Sequence, residues 1–211
     1  MNRLDRYLIA GLVVFFAVGS VGHRSAALRP MMTRLTPAAL LLTAAAVIVP
    51  VVRERNARVA VWAIAACLVG FCLEVVGVAT GALFGRYGYG PLLGPRILGV
   101  PLIIGVNWGV VSLGCATFAS RVLPNPFAAA TLAGAVAAGF DWVLEPFAVA
   151  SGYWAWSGGA IPPRNYVAWF LVVAVFSFVY ARSRPKLDSW VPSIAILIQL
   201  AFFAALRAAG G

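Results

Sequence analysis

Seven runs of mostly apolar residues, each near the roughly 20 that carry a helix across a bilayer, decide what this chain can fold into. They fall at about 5–23, 37–53, 58–80, 97–119, 126–150, 165–182 and 190–207. Of the 211 residues 63% are hydrophobic and 10% charged, against about 45–50% apolar and about 25% charged in soluble domains. A water-soluble globule is excluded. The expectation is an all-α integral membrane bundle of about seven transmembrane helices, a single transmembrane domain over 1–211 in the cell (cytoplasmic) membrane. The first run is not a cleavable signal peptide, since no small-x-small site follows Phe16 before the run ends at His23-Arg24.

The formal charge of +10 would suggest nucleic acid in a soluble domain. Here the arginines punctuate apolar runs, as they do beside membrane segments, and no nucleic-acid partner is expected. Arg3, Arg6, Arg53, Arg55, Arg58, Arg121, Arg182, Arg184 and Lys186 fall on one side of the bundle. Arg24, Arg29, Arg34, Arg86, Arg96, Arg164 and Arg207 fall on the other. Nine against seven favours a cytoplasmic amino terminus. Arg24, Arg29 and Arg34 are expected to meet lipid headgroups. Cys67, Cys72 and Cys115 lie inside apolar runs and imply no disulfide framework. One histidine leaves little scope for a zinc or haem site, and no metal and no cofactor are expected. Thr36-Pro37 and Asn125-Pro126 read as helix starts, a capping side chain before a proline in the first turn. Asn165 reads as a cap of the sixth helix, and His23 as an interfacial cap at the end of the first.

Charge inside a spanning segment is costly, at least about 2.5–3.5 kcal/mol for Asp at a helix centre. Three of the six acids, Glu74, Asp141 and Glu145, are placed so. Seven spans bring the end of the third helix, the start of the fourth, the end of the fifth and the start of the sixth to one membrane face. Glu74 and Glu145 then lie ~9 Å deep, Asp141 one turn deeper and on the same helix face as Glu145. Pro146 frees the carbonyl of Trp142. Two connections on that face, 80–91 and 151–163, are too apolar for solvated loops and too rich in Gly and Pro for helices. Irregular backbone near a bilayer is tolerated where it is buried or lines a cavity. A cavity in one leaflet is therefore expected, lined by carboxylates, tyrosines and tryptophans, with Asn107 and Trp108 ~15 Å into the fourth helix. The alternative for the acids is structural pairing with Arg86, Arg96 or Arg164. For Tyr87, Tyr89, Tyr153, Trp154, Trp156 and Trp169 it is an interfacial aromatic belt, and for Asn107 a hydrogen bond gluing helices.

In order, the chain reads Glu74-x-x-Gly77-x-x-Thr80-Gly81-x-x-Phe84-Gly85-x-Tyr87-x-Tyr89, then Gly99-Val100-Pro101 and Trp108. A second block is Asp141-x-x-x-Glu145-Pro146, Gly152-Tyr153-Trp154-x-Trp156 and Pro162-x-x-Asn165-Tyr166-x-x-Trp169. This pattern resembles the membrane-embedded carotenoid 1,2-hydratases of the CruF type. The match covers roughly 70–110 and 139–170, with vaguer similarity from His23 to Thr36. Tyr166 and Ala168 depart mildly from the family's expected Phe and Gly. The resemblance implies addition of water across the terminal 1,2 double bond of acyclic ψ-ends, in lycopene, γ-carotene or bisanhydrobacterioruberin-like substrates. Carotenoid and membrane lipid are the partners it implies, and it is silent on association with other carotenoid enzymes.

Chemistry then suggests roles. Protonating a trisubstituted alkene needs a carboxylic acid that still carries its proton near neutral pH. Burial penalises the charged form, and a neighbouring carboxylate adds to the penalty. Asp141, the deepest acid, with Glu145 one turn away, meets both conditions. The tertiary cation is best stabilised by aromatic faces, here Tyr87, Tyr89, Trp108, Trp154 and Trp156. Glu74 and Glu145 are expected to position water and take its proton. Asn107, Tyr153, Asn165 and Trp169 complete the expected substrate site. Three other readings stand beside this one: a carotenoid end-group cyclase of related cation chemistry, a proton-coupled transporter or lipid carrier, and a prenyltransferase. The last wants Asp-rich pairs for magnesium diphosphate, and Asp141-x-x-x-Glu145 is too poor for that.

Overall fold

The computed structural model describes residues 1–183, 185 and 187–209. Arg184 and Lys186, two of the nine basic residues counted on the amino-terminal side, lie outside the described residues. Among the described residues seven helices are long and apolar enough to span a membrane: α1 Arg3–Arg24, α2 Arg29–Arg53, α3 Ala57–Thr80, α4 Leu102–Val122, α5 Pro126–Ala150, α6 Pro163–Ser183 and α7 Val191–Ala208. The protein is an all-α, multi-pass membrane bundle. At the centre stands α4, buried without interruption from Trp108 to Thr117 and packed by α2, α3, α5, α6 and α7. Small residues let the backbones close in: a Cβ at Gly105 would lie 3.1 Å from the Cys67 carbonyl of α3.

Two expected helix starts shift. The second helix begins at Arg29, not at Pro37, with Pro30 in its first turn. Thr36 is therefore no cap: its hydroxyl bonds back to the Met32 carbonyl (3.3 Å). Pro37 inside the helix frees the Thr33 carbonyl, and the Tyr153 hydroxyl faces that oxygen at 3.4 Å. The fourth helix begins at Leu102 rather than near 97, because 96–101 form a tight hairpin of β2 (Arg96–Ile97) and β3 (Val100–Pro101). Its two-residue turn, Leu98 (φ 51°) and Gly99 (φ 82°), has the positive dihedrals such hairpins require. Asn125 caps α5 as expected, accepting from the backbone N–H of Phe127 and Ala128. Asn165 caps nothing; α6 starts at Pro163 and the Asn165 side chain turns inward. The carbonyl of Trp142, freed by Pro146, accepts from the Arg207 guanidinium, which also lies 3.8 Å over the Trp142 ring.

The connections 80–91 and 151–163 are more ordered than irregular loops. β1 (Tyr87–Tyr89) pairs antiparallel with β4 (Trp154–Trp156), placing Tyr87 opposite Trp156 and Tyr89 opposite Trp154. The ribbon closes at Gly90, whose N–H donates to the Tyr153 carbonyl (2.7 Å). A Cβ at Gly90 would strike the carbonyl of Gly152, so the two segments meet only because residue 90 has no side chain. The Arg96 guanidinium holds the same corner through the carbonyls of Tyr89 (3.0 Å) and Gly90.

Candidate functional site

Strand periodicity and helix periodicity aim two sets of side chains at one point. Along β1 and β4 alternate residues face the same way, so Tyr87, Tyr89, Trp154 and Trp156 all point from the ribbon into the bundle. Below them α3 presents Glu74, α4 presents Trp108, α5 presents Asp141 and Glu145, and α6 presents Asn165 and Trp169.

Glu74 accepts three hydrogen bonds. Tyr89 Oη (2.7 Å) and Tyr87 Oη donate to Oε2, and Trp108 Nε1 donates to Oε1 (2.9 Å). Removal from water, and then the Glu74 carboxylate itself, raise both tyrosine hydroxyls above the ordinary phenol range, so they stay protonated and donate. Glu145 also accepts three: Trp154 Nε1 (3.0 Å) and Trp156 Nε1 (2.9 Å) on Oε2, and Asn165 Nδ2 (3.3 Å) on Oε1. Asp141 accepts one among the described residues, from the same Asn165 Nδ2 to Oδ2 at 2.5 Å. One amide thus bridges two carboxyls. Asp141, Glu145 and Asn165 are 1%, 2% and 2% exposed.

Among the described residues none of the three acids pairs with an arginine. The ion pairs among the described residues join Arg53 to Asp5 and to Glu54 at the opposite end of the bundle. The aromatic residues are not a belt either: Trp108 stacks on Trp169 (4.2 Å between centroids, 20°) and Tyr87 lies 4.9 Å from Trp156.

A cavity of about 340 Å³ runs up to this cluster. Every residue expected at the substrate site lines it: Tyr87, Tyr89, Asn107, Trp108, Tyr153, Trp154, Trp156, Asn165 and Trp169, with Glu74, Asp141 and Glu145. Asn107 glues no helices together, since its amide makes no hydrogen bond among the described residues. The rest of the wall is mostly apolar, with His23, Thr36, Thr43 and Gln199 its polar members, and comes largely from α1, α2 and α7. Lining residues exposed on the outer surface, among them Val18 of α1 (59%) and Leu42 of α2 (59%), place the mouth on the α1–α2 hairpin, on the apolar outer face of the bundle. Sequence reasoning missed His23 here. Its ring is buried in the cavity wall, edge-on to Phe147 at 4.9 Å, instead of sitting at the interface. Arg29, expected at headgroups, donates through Nε to the His23 carbonyl (3.0 Å). Among the described residues no group of three or more His, Cys, Asp or Glu is disposed to hold a metal ion.

Residues 35–210 match the family of carotenoid biosynthesis proteins. The chain belongs to that family. The matched stretch carries the whole carboxyl cluster and the ribbon above it. A similar protein is the bisanhydrobacterioruberin hydratase of Haloarcula japonica, 32% identical over 142 residues, which are 62% of this chain and 48% of the relative. The chain thus matches about half the length of that curated relative. No solved structure gives a significant match. A role in carotenoid biosynthesis accords with a largely apolar, aromatic-walled cavity.

Proposed function

We propose that this member of the carotenoid biosynthesis protein family is a cofactor-independent carotenoid 1,2-hydratase of the cytoplasmic membrane. It adds water across the terminal 1,2 (1′,2′) double bond of a ψ-end carotenoid such as lycopene, γ-carotene or a bisanhydrobacterioruberin-like chain. One observation carries this reading: two buried carboxyls, Asp141 and Glu145, share the Asn165 amide at the closed end of an apolar, aromatic-walled cavity.

The hydrogen bonds divide the labour. A carboxylate has about four acceptor sites. Three donors on Glu74 and three on Glu145 satisfy an anion and leave each one site for water. Asp141, with one donor, is the carboxyl suited to carry the proton. Asp141 gives that proton to C2; the new C–H bond takes the π pair and leaves a tertiary cation at C1. Aromatic faces stabilise a desolvated cation by about 2 kcal/mol or more, and the stacked Trp108 and Trp169 and the Tyr87–Trp156 pair line the cavity for that purpose. Water, held by Glu145 and Glu74, bonds through oxygen to C1 and yields its proton to Glu145. Return of that proton to Asp141, one helical turn away, restores the site. The sum is alkene plus water to tertiary alcohol, with no change of oxidation state that calls for a redox partner.

The name of the Haloarcula relative supports hydration over cyclisation. In a host that accumulates lycopene, expression should yield the more polar 1-hydroxy carotenoid, and Asp141→Asn should abolish it. Cyclised ends in place of the alcohol would establish the cyclase reading, and normal alcohol from Asp141→Asn would remove the acid assignment.

A further inference from the structure

Hydration brings together a substrate that comes from lipid and a co-substrate that comes from water, and the cavity mouth serves only the first. Val18 and Leu42 make that mouth apolar on the outer surface of the hairpin. Water needs a different way in.

His23 occupies such a place. It is the penultimate residue of α1, beside exposed Arg24 and the 25–28 turn at the membrane face, yet its ring is 9% exposed and lines the cavity. Nδ1 is buried and has no hydrogen-bond partner among the described residues. An unpaired polar atom inside an apolar wall is costly and rare, and a ligand with a hydrogen-bonding oxygen removes the cost. Phe147 and Phe202 hold the ring edge-on at 4.9 and 6.0 Å. Phe147 also lies 6.0 Å from the ring of Tyr153, whose hydroxyl meets Thr36 Oγ1 on the same cavity wall. The residue after Tyr153 is Trp154, which donates to Glu145. His23, Thr36 and Tyr153 are thus polar groups on the wall of the same cavity that Glu145 lines.

We infer that His23 is a positioning residue for water: its imidazole, with one donor and one acceptor in the neutral form, receives water from the membrane face and passes it by way of Thr36 and Tyr153 to Glu145. This rests on the hydratase reading and adds the route of the co-substrate. The route makes water capture separable from protonation. Without water at C1, the cation loses a proton from C2 and regenerates the alkene.

The test is turnover of lycopene by the full chain in D2O, with the alcohol and the deuterium in recovered lycopene measured together. His23→Phe keeps an aromatic ring between Phe147 and Phe202. It should cut alcohol formation about tenfold with KM unchanged, while deuterium enters recovered lycopene at least as fast as with wild type. His23→Gln, which restores a donor and an acceptor, should recover most of the alcohol. Unchanged alcohol from His23→Phe overturns the inference. So does a parallel fall of alcohol and deuterium that His23→Gln fails to rescue, the mark of a structural role. Failure of the hydratase reading would show in the wild type itself, as neither alcohol nor deuterium.

Discussion

Asn165 is the residue on which the carboxyl pair depends, because a single Nδ2 reaches Asp141 at 2.5 Å and Glu145 at 3.3 Å. Asn165→Leu removes that bridge while keeping side-chain volume. Misplacing a reacting group by about 1 Å costs on the order of 100-fold. Single-turnover hydration by Asn165→Leu should fall by that order, with binding of the carotenoid retained; a rate within twofold of wild type would remove the bridge from the mechanism. The three acids were legible in the sequence because ionisable residues deep in apolar runs are rare and functional by default. Their partners were not. Arg86, Arg96 and Arg164 are suitable by charge, but the donors come from tyrosine, tryptophan and asparagine, groups less costly to bury than a guanidinium. His23 escapes sequence reading for a related reason: a histidine beside arginines at a helix end has the composition of an interface, and only packing shows which way its ring turns.

Among the elements, the β1–β4 ribbon sets the geometry of the site. Its alternation, Tyr-Gly-Tyr and Trp-Ala-Trp, is visible in the sequence as period-two aromatic patterning. The pairing joins segments separated by the whole of α4 and α5, which local pattern cannot reveal. Gly90→Ala tests the ribbon, since the new methyl would meet the Gly152 carbonyl. Overpacking of this kind costs about 1–3 kcal/mol. The variant should unfold more readily in detergent, and its tryptophan emission should change as the indoles leave Glu145. Gly88→Ala, where nothing lies within 4 Å of the added Cβ, is the control that should behave as wild type. The helices were largely legible from their apolar runs. The start of α2 was not, because Pro37 after Thr36 imitates a first-turn proline while Pro30, seven residues earlier, takes that position. The carbonyl that Pro37 frees is satisfied from outside the helix by Tyr153, a tertiary contact no local rule anticipates.

The whole molecule is a lateral slot, closed by the carboxyl cluster at one end and open to lipid through the α1–α2 hairpin at the other. On the hydratase reading, the cavity of about 340 Å³ takes one end of a long polyene and leaves the remainder in the bilayer. Ala38→Trp at the exposed lining of α2 should block the passage of a full-length carotenoid. It should still hydrate a short acyclic terpenoid with the same terminal double bond. Surface changes of this kind alter stability by about 0.5 kcal/mol or less, so unchanged turnover of both substrates would place the entrance elsewhere. The measurement that bears most directly on the central claim is turnover of lycopene by the full chain in 18O-labelled water, with mass analysis of the product. The account predicts an alcohol carrying one labelled oxygen, formed by wild type and absent from folded Asp141→Asn. An unlabelled product, or equal labelled product from both proteins, would contradict it.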